Sequence, residues 1–326
     1  MTHLHIALIR EAAAALAPHV VRTPLLHSPV LDGTLGLRLY VKAENLQTTG
    51  SFKLRGALNK VLALDPMARL KGVVTFSAGN HGQAVAAAAK LVGCAATIVL
   101  PRTAPRVKVE GCRWWGAHVV FHDPDTEDRR EVAQRIIDAE GATLVHPFDD
   151  HHVMAGQGTV GLEIVEQFAT LGVRPDAAVI NCSGGGLASG AATALRDAHP
   201  DLALHLCEIA GFEKWARSLE SRRPEESRPV ARTIMDGING PGVGEKPLAV
   251  MLAQPRVGTF SVTDDEALHA MRAAFEHLKI VLEPAGAAAL AAVQRHRQAF
   301  RDQTVVVVAS GGNVDAAVFQ RALAQR

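Results

Sequence analysis

Lys53 lies in an unusually polar stretch, between Thr49-Gly50-Ser51-Phe52 and Leu54-Arg55-Gly56-Ala57. Thr49-Gly50-Ser51 reads as a turn with N-cap chemistry, which puts Lys53 in the first turn of a helix. A cation is poorly placed there, because a helix start carries partial positive charge. The same field lowers the amine's pKa and favours its neutral, nucleophilic form. Taken alone, the plainer assignment is a solvated lysine at a helix start.

Three glycine-rich loops supply a reason to look further. Ser77-Ala78-Gly79-Asn80-His81-Gly82, Ser183-Gly184-Gly185-Gly186-Leu187 and Ser310-Gly311-Gly312-Asn313 each follow a strand-like run, and each is expected to open a helix. In open α/β sheets ligands gather at the carboxyl ends of strands, where helix starts offer free N–H groups to anions. Three such loops suit a ligand with more than one anionic or polar end. The 183–187 loop is the best phosphate cradle, since glycines admit close backbone approach and Ser183 adds a hydroxyl. It is a poor dinucleotide fingerprint. Gly184-x-Gly186-x-x-Ser189 lacks the third glycine, and the first βα unit has no fingerprint at all.

The elements that must position these loops are legible from about residue 70. Strands are expected at 73–76, 95–100, 118–121, 143–145, 177–180, 202–207 and 304–308. Helices are expected at 81–91, 103–115, 126–139 (N-capped by Thr126), 157–168, 190–197, 264–278 and 283–295. Strands alternating with helices imply right-handed βαβ units, parallel sheets and an α/β fold.

Composition agrees. The 326 residues allow two domains or one large one, and 48% apolar content with only 4% aromatics suits helices on parallel strands. A net charge of +1 without a charge block argues against nucleic acid or an anionic membrane as partner. The mixed-sign segment 220–232 reads as a solvated loop. Cys94, Cys112, Cys182 and Cys207 form no C-x-x-C pair and read as reduced core thiols. His118, His122, His146, His151 and His152 read as polar loop residues, because adjacent side chains such as His151-His152 rarely chelate together. Without a signal sequence or an 18-residue apolar run, the chain reads as soluble and cytoplasmic.

Several motifs together resemble one family. Thr23-Pro24-Leu25, Lys42-x-Glu44, Gly50-Ser51-Phe52-Lys53-x-Arg55-Gly56-Ala57, Ser77-Ala78-Gly79-Asn80-His81-Gly82-Gln83, Pro147-Phe148-Asp149-Asp150, Gly156-Gln157-Gly158-Thr159, Glu283-Pro284-x-Gly286-Ala287 and Ser310-Gly311-Gly312-Asn313 all occur. The chain closely resembles the fold-type II pyridoxal-phosphate enzymes, in their threonine/serine dehydratase and serine racemase branch, over nearly its whole length. The asparagine-led loop of cysteine synthase-like relatives is absent before Lys53.

The resemblance implies a two-domain α/β fold of the tryptophan synthase β kind, with parallel-rich open sheets flanked by helices. A large cofactor-binding domain would span 1–48 plus 146–326, with a small domain, 49–145, inserted. Lys53 would hold pyridoxal 5'-phosphate as a Schiff base, with Phe52 against the ring and Asn80 on the cofactor's 3-hydroxyl. Ser183, Gly184, Gly185, Gly186 and Leu187 would hold the phosphate. Ser310 would face the pyridine nitrogen, and Gly237 and Glu283 would complete the cofactor contacts. Ser77, Ala78, Gly79, Asn80 and His81 would bind the substrate carboxylate.

The implied reaction is β-elimination of a 3-hydroxy amino acid, threonine or serine first, to a 2-oxo acid and ammonia. Lys53 would remove the α-proton. A Ser310 hydroxyl cannot keep the ring nitrogen protonated, which weakens the electron sink and favours elimination over transamination. Ala78 stands where family racemases commonly carry a serine, so racemisation is expected to be weak. Alternatives are a dehydratase for 3-hydroxyaspartate or 3-phenylserine, a racemase, or a non-turnover binder of the cofactor or an amino acid. Intact Lys53, Asn80 and Ser310 argue against the last. Many relatives bind a cation near Glu208, and here Lys214 takes the position of the later acid, so its ammonium is expected to replace a metal. No C-terminal amino-acid-sensing domain is expected, nor isoleucine inhibition. A homodimer or homotetramer is implied.

Overall fold

Alternate residues of the strand Thr304–Ala309 face opposite cores. Val305 and Val307 meet one apolar cluster, while Val306 and Val308 meet another. A strand buried on both faces is what a continuous Val run encodes. The computed structural model describes residues 4–77, 79–104, 106–228 and 232–325.

Ten strands are described: β1 (Leu25–His27), β2 (Arg38–Ala43), β3 (Val73–Phe76), β4 (Ala96–Pro101), β5 (His118–His122), β6 (Thr143–Leu144), β7 (Ala177–Asn181), β8 (Ala203–Ile209), β9 (Val257–Val262) and β10 (Thr304–Ala309). They form a six-stranded sheet, β1-β2-β10-β7-β8-β9, and a four-stranded sheet, β5-β4-β3-β6. Among these described strands only the β1–β2 pair is antiparallel. The Pro284–Arg295 and Asp264–Ala273 helices cover one face of the larger sheet, and the His151–Leu171 and Gly186–Ala198 helices cover the other. On the smaller sheet, the Lys53–Leu62 and Asn80–Val92 helices pack on one face and the Arg129–Glu140 helix on the other.

The Lys53–Leu62 helix also lies against His151–Leu171, and two glycines allow the approach. A Cβ on Gly156 would sit 2.4 Å from the Arg55 carbonyl oxygen, and one on Gly56 would sit 2.8 Å from that of Val153. No helix among the described residues is long and apolar enough to cross a membrane.

Some expectations need correction. Asp128, not Thr126, caps the Arg129–Glu140 helix, because its carboxylate accepts the Arg130 N–H at 2.6 Å. The helix expected from 103 begins at Arg106. The histidines are not loop residues throughout. His118 and His122 lie on β5, and His151 and His152 begin a helix. The third glycine loop does not open a helix directly. The next one starts at Ala316, and Gly311 instead pairs with Ser51.

Candidate active site

Lys53 is the first residue of its helix, in line with its sequence position. Phe52, rather than Ser51, is the cap residue, and no side chain caps the helix. The Lys53 amine donates to the Pro147 carbonyl at 2.8 Å and stands 5.1 Å from the Phe52 ring centroid. Burial brings its pKa down to about 8. The turn before it is sewn to the third glycine loop. The Phe52 N–H donates to the Ser310 carbonyl at 3.2 Å, the Gly312 N–H to that of Gly50 at 2.9 Å, and the Asn313 amide to that of Thr49 at 2.9 Å.

The rest of the helix is anchored by Arg55, which is fully buried. Its guanidinium donates to Glu44 at 2.8 and 2.9 Å and to Glu163 at 2.6 and 3.0 Å. Lys42 donates to the same Glu163 at 2.5 Å. Burial works against all these charges. For Glu44 burial is the largest single influence, but the charge and hydrogen bonds of Arg55, with Lys42 and Thr23, together outweigh it and hold the carboxyl below its ordinary value. For Arg55 the two carboxylates do the same in the opposite sense.

Asn80 is fixed from both sides. Its amide NH2 donates to Glu283 at 2.6 Å, and its carbonyl accepts from Asn313 at 2.8 Å. Burial, helped by Asp236, raises Glu283 to about 7, and its second oxygen has no hydrogen-bond partner among the described residues. Ser310 is held by Asn181, whose amide donates to its hydroxyl oxygen at 3.0 Å. The Ser310 hydrogen is thus left to donate elsewhere.

The 183–187 loop is shaped by its neighbours. Gly185 adopts φ +100°, and a Cβ there would strike the Trp215 ring at 2.3 Å. The Trp215 indole donates to the Ser183 carbonyl at 2.7 Å, and the Ser183 hydroxyl accepts the Gly240 N–H at 3.1 Å. The first N–H groups of the Gly186–Ala198 helix have no acceptor within the helix.

These groups line one cavity of about 450 Å³ between the two sheets. It brings together Lys53, Phe52, Asn80, Glu283 and Ser310, with Ser183, Gly184, Gly185, Gly186, Leu187 and Gly237. Ser77, Gly79 and His81 are there too. Ala78 lies outside the described residues. His81 donates its Nε2 hydrogen to Val145 at 2.9 Å and stays neutral, because burial and the Lys53 field hold its pKa near 3. An ion pair between Lys108 and Asp236 joins the smaller sheet's helix Arg106–Trp114 to the cavity's opposite wall.

Glu208 and Lys214 are both buried, behind the cavity wall rather than in it. The Glu208 carboxylate is satisfied by the N–H groups of Lys214 (3.0 Å) and Trp215 (3.1 and 3.0 Å), not by a direct bond from the Lys214 ammonium. Burial raises Glu208 and lowers Lys214. No three His, Cys, Asp or Glu side chains among the described residues gather as a metal site.

Sequence reasoning passes over Asn181, Arg129 and His146. Asn181 has one signal: an amide ending an apolar strand needs buried partners. His146 lines the cavity, where its Nδ1 accepts the Asp149 N–H at 2.8 Å. Its sequence context suggests only a loop histidine.

Known proteins share this arrangement of sequence and fold. The family described as "Pyridoxal-phosphate dependent enzyme" matches residues 16–311. A serine racemase of Oryza sativa subsp. japonica is 39% identical over 324 residues, covering 98% of this chain and 93% of the relative. An L-threo-3-hydroxyaspartate ammonia-lyase of Pseudomonas sp is 38% identical over 305 residues, covering 94% of each. The solved threonine deaminase of T.th. superposes with a TM-score of 0.90 at 41% identity, covering 95% of this chain and 99% of that one. The chain belongs to the pyridoxal-phosphate-dependent enzyme family.

Proposed function

We propose that this protein is a pyridoxal-phosphate-dependent ammonia-lyase that eliminates the β-hydroxyl of a 3-hydroxy amino acid, with Lys53 as cofactor anchor and base. The residues present suit the cofactor. A glycine-lined helix start and the Ser183 hydroxyl suit its phosphate. Asn80, its amide orientation fixed by Glu283 and Asn313, suits the 3-hydroxyl. Ser310, with its hydrogen free to donate, suits an unprotonated ring nitrogen.

When bound, the pyridine ring accepts the electron pair left by the departing α-proton. The chain's own groups do the rest. N–H groups at the start of the Asn80–Val92 helix hold the substrate carboxylate. The Lys53 amine, its pKa brought down by burial so that a usable fraction is neutral, takes the α-proton. The Cα–H and Cβ–O bonds break and water leaves. Uptake of one water at the former α-carbon then yields the 2-oxo acid and ammonia. Serine, threonine and 3-hydroxyaspartate all satisfy this chemistry.

The observation that carries the reading is the convergence of the desolvated Lys53 amine with Ser310, held by the neutral Asn181 amide, in one cavity. A neutral group at the ring nitrogen favours prompt elimination over a long-lived carbanion. The test is an assay of the holoenzyme for 2-oxo acid and for D-serine from L-serine. Elimination outpacing racemisation supports the reading. Racemisation at an equal or greater rate would make it a racemase.

A further inference from the structure

Two histidines line the cavity, His81 and His146, and only one offers it a hydrogen. The His81 ring gives its Nε2 hydrogen to the Val145 carbonyl at 2.9 Å, and its Nδ1 is sealed within the protein. In His146 the pattern is reversed. Its Nδ1 accepts the Asp149 N–H at 2.8 Å and meets the Phe148 N–H at 3.4 Å. A backbone N–H can only donate, so Nδ1 is the bare nitrogen and Nε2 carries the hydrogen. Nε2 has no acceptor among the described residues, and it is not among the sealed polar atoms. The ring's one available hydrogen is therefore left to the cavity. Burial lowers the pKa of the ring to about 4, so this neutral tautomer persists across the working pH range.

The position of His146 is as specific as its tautomer. It follows Val145, whose N–H donates to Val74 at 2.9 Å and so continues the β3–β6 pairing. His146 thus stands at the carboxyl end of a parallel strand, where ligands gather. The next residue, Pro147, accepts the Lys53 amine at 2.8 Å. Phe76 and Phe148 hold the ring edge-on, with centroids 6.0 and 4.7 Å away. Phe148 in turn covers Gly184, where a Cβ would strike its ring at 2.3 Å. A rigid donor therefore sits beside the base, next to the phosphate-type loop. The β-carbon is one bond from the α-carbon that Lys53 deprotonates, so a donor adjacent to Lys53 is in place for an oxygen on the β-carbon.

We propose that His146 donates its Nε2 hydrogen to the substrate's β-oxygen and holds that oxygen as it departs, which fits the site to a hydroxyl leaving group. This rests on the β-elimination reading above. The Cα–H bond breaks as Lys53 takes the proton, and the Cβ–O bond breaks with its electron pair staying on oxygen. Hydroxide leaves poorly, and a hydrogen bond that strengthens as charge gathers on the oxygen favours the transition state over the bound substrate. The neutral imidazole keeps its own hydrogen throughout. The proton that completes the water comes from the Lys53 ammonium, which has just gained it from the α-carbon, so both side chains end as they began.

The test varies the leaving group. Holoenzyme is assayed for pyruvate from L-serine and from 3-chloro-L-alanine, whose chloride departs as a stable anion without a donor. The variants are His146→Asn, whose side-chain oxygen can still accept the Asp149 N–H but which has no donor at the Nε2 position, and His146→Gln, which can place an N–H there. His146→Asn should lower the ratio of kcat/KM for serine to that for chloroalanine by about 100-fold, the scale of one lost oxyanion donor, with the fall in kcat rather than KM. His146→Gln should restore at least about tenfold of that ratio. If His146→Asn fails to fold, His146→Phe, which keeps a ring between Phe76 and Phe148, carries the same expectation. Equal losses on the two substrates would overturn the proposal and leave the elimination reading standing, with His146 as packing alone. An unchanged ratio would overturn it as well. A wild type that releases chloride but forms no 2-oxo acid from serine, threonine or 3-hydroxyaspartate would overturn both.

Discussion

The Asn181 amide donates to the Ser310 hydroxyl at 3.0 Å, while its own carbonyl accepts the Ala289 N–H at 2.5 Å. The second bond fixes which way the amide faces. The first leaves the serine one hydrogen to give and aims its oxygen. Asn181→Leu removes the donor at unchanged size and strands the Ala289 N–H. A cost of about 1–3 kcal/mol in stability is expected. The kcat of elimination should fall more than KM changes, because the loss bears on the ring-nitrogen contact. Steady-state kinetics beside a thermal melt separates the two effects.

The Lys53 amine, with its pKa near 8, must be neutral to attack the cofactor's aldehyde. A lowered amine pKa means that the reactive fraction grows as pH rises through about 8. At pH 6 only about one amine in a hundred is neutral. The initial rate at which apoenzyme regains the long-wavelength absorption of the linked cofactor should therefore rise tenfold per pH unit below 7, then level off above 9. A rate independent of pH between 6 and 8 would show that another step controls the link.

Glu283 serves Asn80 as an acceptor. Glu283→Gln keeps an oxygen there and should preserve cofactor affinity within about 3-fold, whereas Glu283→Leu leaves the Asn80 amide unpaired and should weaken it by about 10-fold. Equilibrium titration of apoenzyme with the cofactor reads both. Equal effects from the two variants would remove Glu283 from this role.

Arg55 holds Glu44 and Glu163 inside the protein. Arg55→Met leaves those carboxylates without their main counter-charge and should cost about 3–5 kcal/mol. Arg55→Lys should recover only part of this, since an ammonium cannot serve both carboxylates with the same fork. Denaturant unfolding measures each.

Lys214 is buried near Glu208, and we propose that its charge takes the part a cation would play there. The melting temperature and activity of the holoenzyme should therefore stay unchanged on adding Mg²⁺ or EDTA. Lys214→Met should lower the melting temperature. A strong response to EDTA would show a bound metal instead.

What the sequence made legible divides along physical lines. The runs Val73–Phe76 and Thr304–Ala309 are continuous, apolar and buried, so composition alone identifies them. β2 is interrupted by Arg38 and Lys42, and Lys42 makes sense only beside Glu163, far away in sequence. β1 has three residues, and β9 is a half-buried edge strand, so neither carries a strong pattern. At the site, residues that belong to contiguous motifs were readable: Lys53, Asn80, Ser310 and the 183–187 loop. The residues that orient them were not. Asn181 acts on Ser310 from another strand, and His146 faces the cavity from a segment whose sequence suggests only a loop. Their roles exist only in the folded geometry.

The central claim is that Lys53 carries the cofactor. It is tested most directly by reducing the holoenzyme with borohydride, digesting it and weighing the peptides. We expect a single lysine, Lys53, to bear the added mass of the reduced cofactor, with none found in Lys53→Ala. Label on another lysine, or no covalent label at all in the wild type, would contradict the assignment.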